Sequence, residues 1–137
     1  MTRSMRRERN RGRELELFHR ESARNVGERR GPDQLLIDTV ITGNVIETVK
    51  GTAIAAGWGP SLRDVTITGN LVRSADVGIA VSVVQEAGTV VIANNLIADT
   101  PSGAIVGREW DKTVTGDLSK EGAERYVQLT IDGNRVR

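Results

Sequence analysis

The amino-acid sequence predicts an all-β fold: a right-handed parallel β-helix of about three to four coils, with a disordered or weakly helical N-terminal tail. Three observations predict it. A phrase of the form Ile-x-x-Asn-x-aliphatic occurs four times in the 137 residues, a second aliphatic stretch follows three of the four copies, and aromatic residues make up only 3% of the chain. A core of Val, Ile, Leu and Ala without large rings suits thin, strand-rich layers.

The first 34 residues are rich in arginine and take no part in the repeat. They contain ten Arg against five Glu and one Asp, whereas the whole chain has a formal net charge of only +1. A nucleic-acid-binding arm is disfavoured because the arginines alternate with glutamates. We therefore expect a tail over residues 1–34 that is not part of the fold, a boundary near Gly31-Pro32, and a repeat domain over residues 35–137.

The repeated phrase defines the period of the chain. Its asparagines lie 26, 25 and 39 residues apart, at Asn44, Asn70, Asn95 and Asn134. The second aliphatic stretches are centred on Ile54, Ile79 and Ile105. Alternation of aliphatic and polar residues in these pieces predicts short strands with one face toward a core. A fixed period of about 25 residues is typical of a solenoid.

A leucine-rich repeat is the alternative solenoid. Leu62, Val65, Ile67, Asn70 and Val72 match its pattern of leucines and asparagine position by position. The stretch "GIAVSVV" that follows is β-branched, however, and carries Gly and Ser where a helix would favour Ala, Glu, Lys or Leu. This favours the β-helix and leaves a leucine-rich-repeat-like protein-binding module as a further alternative.

The repeated asparagine is expected to have a structural role. A side-chain amide at the turn that leaves a strand can point inward and bond to backbone or to the amide of the next coil. Asparagine also tolerates the left-handed backbone region, and glycine precedes it at positions 43, 69 and 133. We therefore expect Asn44, Asn70, Asn95 and Asn134 to form a stacked structural ladder.

The period is interrupted once, after the third copy of the second stretch. Ile54 and Ile67 lie 13 residues apart, whereas Ile105 and Ile131 lie 26 apart, which places an inserted loop at about residues 108–126. Interruptions of a repeat are where functional side chains gather. Trp58 is in register with the start of the loop, so both tryptophans should project from one edge. The candidate ligand-binding residues are Trp58, Arg63, Arg108, Glu109, Trp110, Asp111 and Tyr126.

Several function classes lack their motifs. The chain has no cysteine, and its one histidine, His19, lies in the tail. No phosphate loop, catalytic triad or zinc motif occurs, so no metal and no cofactor are expected, and catalytic residues are not assigned. We expect a non-catalytic protein. It either binds carbohydrate, with polysaccharide as the candidate partner, or has a structural role in the cell envelope. The alternative is a polysaccharide lyase or glycoside hydrolase that uses Glu109 with Asp111 or Asp64.

Residues 36–137 resemble the C-terminal part of a family of uncharacterised bacterial twin-arginine-translocated repetitive proteins with pectate-lyase-like β-helix repeats. The pieces that carry the resemblance are "GWGP" with "LRDV", "GIAVSVV", "GAIVG", "EWD" and "GAERY". The resemblance implies a periplasmic or exported protein that is longer than this chain. The chain as given carries no recognisable export signal, which predicts a cytoplasmic location if it is expressed in this form.

Two further expectations follow from the sequence. No apolar run of about 18 residues occurs, so no segment should span a membrane. The repeat region has only about three to four coils, and a repeat array with uncovered ends exposes strand edges. We therefore expect a fragment of a longer exported protein, with end-to-end self-association.

Overall fold

The computed structural model describes residues 3–5, 9–11, 15–17 and 36–137. These residues are mostly β. One short 3₁₀ helix spans Ala123–Arg125. The strands are β1 Arg3–Met5, β2 Arg9–Arg11, β3 Leu15–Leu17, β4 Leu36–Thr42, β5 Val45–Ala56, β6 Leu62–Thr68, β7 Leu71–Ser82, β8 Val90–Ala93, β9 Leu96–Ala98, β10 Ile105–Glu109, β11 Lys112–Thr113, β12 Leu129–Asp132 and β13 Arg135–Val136.

The strands form one parallel and one mixed sheet. The first has the order β1-β4-β6-β8-β12, and every neighbouring pair in it is parallel. The second has the order β11-β10-β7-β5-β2, with β3 beside β5, β9 beside β7 and β13 beside β9. Its pairs are also parallel except for β10 and β11, which are antiparallel.

Equivalent positions of the repeated phrase pair with one another, so identical residue types stack across each sheet. Ile41 is in register with Ile67, Ile67 with Ile92, and Ile92 with Ile131. A second column joins Ile54, Ile79 and Ile105. The isoleucines of these columns are fully buried except for Ile131, which is partly buried. Burial of one such side chain contributes about 1.5–3 kcal/mol, so the columns dominate the stability of the core.

The prediction of a right-handed parallel β-helix with three to four coils is wrong. The structure has one parallel and one mixed sheet with an antiparallel pair, and it gives no evidence of that solenoid. The repeated phrase specifies which residues stack, but it does not specify where a strand ends. β5 and β7 each run through 12 residues, where short separate strands were expected. The inserted loop returns along β10 as an antiparallel hairpin instead of starting a new coil.

The prediction of a disordered or weakly helical tail is wrong for β1, β2 and β3. These strands pair in parallel with β4 and β5. A strand at a sheet edge offers unpaired backbone groups, and an added strand needs only its own backbone groups to pair with them. His19 and the Gly31-Pro32 boundary lie outside the described residues, and the division of the chain at residue 34 stays a prediction.

The four repeated asparagines form a directional set of hydrogen bonds, which we call the amide ladder. The backbone N–H and the Nδ2 of Asn44 both donate to Oδ1 of Asn70, each over 3.0 Å. Asn70 donates in the same way to Asn95, over 2.9 and 3.0 Å, and Asn95 donates to Asn134, over 3.0 and 2.9 Å. Each carboxamide oxygen after the first therefore accepts two bonds from the preceding member.

The ladder also ties each repeat to the strand before it. Nδ2 of Asn70 donates to the carbonyl of Ile41 over 3.1 Å, and Asn95 makes the equivalent bond to Ile67 over 2.9 Å. Oδ1 of Asn44 has no preceding donor. Among the buried side-chain polar atoms of the described residues, this oxygen is the one without a hydrogen-bond partner.

The chain turns at equivalent positions through left-handed backbone conformations. The residues before the ladder asparagines, Gly43, Gly69, Asn94 and Gly133, have φ between 57° and 74°. A second set consists of Thr48, Ser74 and Asp99, with φ between 58° and 61°. A β-branched residue rarely adopts this conformation, so Thr48 is strained where its equivalents are not.

We expect Asn70→Ala to destabilise the protein by about 1–3 kcal/mol, because it leaves the donors of Asn44 without their acceptor in the core. Asn134→Ala should cost less, since Asn134 is only partly buried and donates to no further member of the ladder, whereas Asn70 donates to Asn95. The free energies of unfolding from chemical denaturation measure both changes. Equal losses for the two variants would contradict this account of the ladder.

Thr48→Asn should stabilise the protein by up to about 1 kcal/mol, because asparagine adopts the left-handed conformation at less cost than threonine. Thr48 is exposed, so the change removes no core contact. Thr66→Asn, within the extended strand β6, is the matched control and should destabilise. A shift in thermal midpoint of the same sign for both variants would show that Thr48 is not strained.

Candidate functional site

Trp110 occupies a hairpin turn at the start of the inserted loop. Glu109 pairs with Lys112, so Trp110 and Asp111 are the two residues that join β10 to β11. Trp110 has φ 56°, a left-handed conformation. Two-residue hairpin turns with such a first residue favour glycine there, because any Cβ is crowded. The sequence therefore places a bulky residue where the backbone disfavours it.

The indole of Trp110 rests on Gly59, in the turn between β5 and β6. A Cβ on Gly59 would lie 3.0 Å from Cε2 and 3.1 Å from Nε1 of the indole, so any larger residue would push the ring outward, and it would also be strained at φ 56°. Ser82 holds this turn by donating its hydroxyl to the carbonyl of Gly59 over 2.5 Å. Trp110 remains 48% exposed, and the neighbouring Trp58 is half-buried. We call Trp58, Gly59 and Trp110 the tryptophan edge.

Two acidic candidates flank this edge and two basic candidates are engaged elsewhere. Glu109 and Asp111 are exposed on either side of Trp110 along the chain. Arg108 donates from Nη2 to Oγ1 of the buried Thr52 over 2.6 Å. Arg63 pairs with its neighbour Asp64 over 3.3 Å in an exposed position. The structure thus brings Glu109 and Asp111 to the tryptophan edge, while the two arginines make bonds of their own.

Tyr126 belongs to a separate cleft. The inserted loop encloses about 320 Å³ between its own residues, and Tyr126 lines this space while packing against the hydrophobic core. Charged residues of both signs surround it, at Lys120, Glu121, Glu124 and Arg125. Tyr126 therefore does not share a surface with Trp110, although both belong to the insertion.

Asp117 anchors the insertion, and sequence reasoning missed it. Its carboxylate accepts hydrogen bonds from the backbone N–H groups of Ala104 over 3.0 Å and Ile105 over 3.2 Å, and from the N–H and hydroxyl of Ser119 over 3.0 and 2.7 Å. Burial raises the pKa of Asp117, but the hydrogen bonds from Ala104, Ser119 and Ile105 outweigh it and lower the pKa below 3.8. The local signal was an Asp followed two residues later by Ser, a common turn sequence.

Metal-binding clusters of side chains and membrane-spanning helices are both absent from residues 3–5, 9–11, 15–17 and 36–137. No cluster of three or more His, Asp or Glu side chains is placed to hold a metal ion. No helix there has the length and apolar character needed to cross a membrane.

Comparisons with known proteins do not place the chain in a family. No protein-family model, no curated protein and no solved structure matches it.

Asp117→Ala should lower the free energy of unfolding at neutral pH by about 1 kcal/mol, because the N–H groups of Ala104 and Ile105 lose their acceptor. The expected loss of stability is small because the carboxylate is partly exposed to solvent, which weakens charged interactions. Since the folded-state pKa is depressed, the contribution of Asp117 is present above 3.8 and is lost as the pH falls through the folded pKa.

Chemical denaturation at neutral pH and at a pH well below 3.8 measures this effect. The difference between the wild type and Asp117→Ala should shrink at the lower pH. Asp111→Ala, which removes an exposed carboxylate from the same loop, is the control and should change stability little at either pH. A difference that grows with acid would contradict a stabilising carboxylate.

Proposed function

We propose that the tryptophan edge binds carbohydrate and that the protein is a non-catalytic polysaccharide-binding protein. The observation that carries the proposal is Trp110, a large aromatic residue held at φ 56° with about half of its surface accessible. Strained residues persist only where the surrounding structure compensates, and they cluster at ligand sites. The core does not require a tryptophan at an exposed turn, so the strain needs another explanation.

The groups around Trp110 suit a hydroxylated ligand. An indole offers an apolar face for the C–H groups of a sugar ring and an N–H donor for a hydroxyl. Glu109 and Asp111 are exposed on both sides of it, and ionised carboxylates accept hydrogen bonds from hydroxyls. The contact between the indole and Gly59 restricts the ring on one side, which lowers the entropy cost of binding.

The other functions have less support. Hydrolysis of a glycosidic bond requires two acids held at a defined separation, and Glu109, Asp111 and Asp64 are all exposed side chains. Catalysis by a polysaccharide lyase or glycoside hydrolase therefore stays a prediction without a residue to carry it. The stretch "GIAVSVV" contributes to β7 where a leucine-rich repeat would place its convex segment. A role in the envelope, export, a longer natural protein, membership of the twin-arginine-translocated family and end-to-end self-association also stay predictions.

The wild-type protein should bind a glycan on an array. Trp110→Ala should abolish that binding, because it removes the exposed ring. Gly59→Ala should weaken binding strongly while keeping the indole, because the new Cβ displaces the ring. Val114→Ala, at an exposed apolar residue of the same loop, is the matched control and should bind as the wild type does. Far-ultraviolet circular dichroism verifies that each variant is folded.

Three outcomes would contradict the proposal. The wild type could bind no glycan, Trp110→Ala could bind as well as the wild type, or Val114→Ala could lose binding to the same extent. Release of reducing sugars or unsaturated uronates by the wild type would instead favour the enzyme.

A further inference from the structure

The inserted loop covers one strand edge almost completely. β10 pairs with β7 on one side, and on the other side its backbone groups meet the loop. The N–H of Ile105 donates to Asp117 over 3.2 Å, and its carbonyl accepts from the N–H of Leu118 over 2.7 Å. The N–H of Gly107 donates to Oγ1 of Thr115 over 2.8 Å, and its carbonyl accepts from the N–H of Val114 over 3.0 Å. Arg108 and Glu109 pair with β11.

Without these bonds β10 would be an efficient template for another strand. Its sequence, Ile-Val-Gly-Arg-Glu, begins with two β-branched apolar residues and has no net charge. Exposed edges of this kind pair with further strands and cause association between chains. The loop forms hydrogen bonds to the backbone groups of this edge through a side-chain carboxylate, a hydroxyl and its own backbone groups. Because part of the bonding comes from side chains, the loop does not present a complete new strand edge.

We infer that residues 112–118 are a built-in cover that prevents β10 of one molecule from pairing with β10 of a second copy of this chain. A second copy is the occupant that we propose, because its β10 offers the same edge and can pair with this one without opposing like charges. Antiparallel pairing about a twofold axis at Gly107 places Glu109 opposite Ile105 and Arg108 opposite Val106. Like charges then do not face one another, whereas parallel pairing in register would oppose Arg108 to Arg108.

Weakening the cover should therefore allow a specific dimer; the bonds from Val114 and Leu118 to β10 stay in the variants, so the dimer forms only as concentration rises. Asp117→Ala releases the N–H groups of Ala104 and Ile105, and Thr115→Val releases the N–H of Gly107 with little change of side-chain shape. Lys120→Ala changes an exposed residue of the same loop whose side chain makes no hydrogen bond within the described part of the chain, and it is the matched control. Light scattering on eluted fractions over a range of concentrations gives the mass of each protein, and hydrogen exchange reports on the amides of Ile105 and Gly107.

We expect both edge variants to shift from one to two chains as concentration rises, with the amide of Gly107 exchanging fast when dilute and slowly when concentrated. In the wild type and Lys120→Ala, the amide of Gly107 should exchange slowly at every concentration. If Asp117→Ala does not fold, Thr115→Val decides alone, because it removes a single acceptor. Folded edge variants that keep the mass of the wild type at every concentration would overturn the inference. A Lys120→Ala protein that dimerises equally would overturn it too.

Discussion

The carboxamide oxygen that accepts two hydrogen bonds at each step of the amide ladder is the constraint on which the other features depend. Parallel strands of similar aliphatic sequence can slip past one another, and a slip of one residue moves every buried side chain to the opposite face. The paired bonds from Asn70 to Asn95, over 2.9 and 3.0 Å, exist in one register only. Once that register is set, the isoleucines of equivalent positions lie next to one another and form the columns.

The repeat explains the core, and its interruption explains the candidate site. Within the repeat, the interior strands β6, β7 and β8 are paired on both sides by equivalents of themselves. After β10 the chain departs from the period, and the inserted loop has to satisfy backbone groups that the repeat no longer serves. Asp117 and Thr115 do so with side-chain oxygens. The hairpin that begins this departure also places Trp110 against Gly59, so covering the edge and presenting the aromatic ring are two results of one insertion.

Periodic features of the fold could be predicted from the sequence, and features that depend on a single residue could not. The spacing of the asparagines gave the register, and the doubled interval between Ile105 and Ile131 located the insertion. The length of β5 was not predictable, because it contains Gly51, and a glycine within a strand pattern usually indicates that the strand ends there. The reversal at Trp110 was hidden because neither turn residue is one that such turns favour.

The candidate site shows the same division. Trp58 and Trp110 could be assigned to one edge because they lie four and five residues after the equivalent isoleucines Ile54 and Ile105. The separate placement of Tyr126 follows from contacts inside the insertion, which has no period to reveal them. Arg108 was expected on the surface, but it bonds to Thr52, 56 residues earlier in the chain, and no local pattern predicts that bond. The strands β1 to β3 were missed because their charge predicts a solvated segment, whereas pairing with an edge requires only backbone groups.

The direction of the amide ladder has a consequence for how the length of such a chain can change. Every member after Asn44 accepts from the member before it, and every member before Asn134 donates to the next, so the interior units are interchangeable. A gene that gains or loses a whole unit of 25 or 26 residues keeps each type of bond and each column, and alters only how many times they occur. A single extra residue is kept only where a strand can bulge, as β5 does between Val49 and Thr52, so the ladder bond survives intervals of 25 and 26 residues. Duplication and deletion of whole units are therefore the changes in length that this architecture tolerates, and the inserted loop is the place where other lengths can be absorbed.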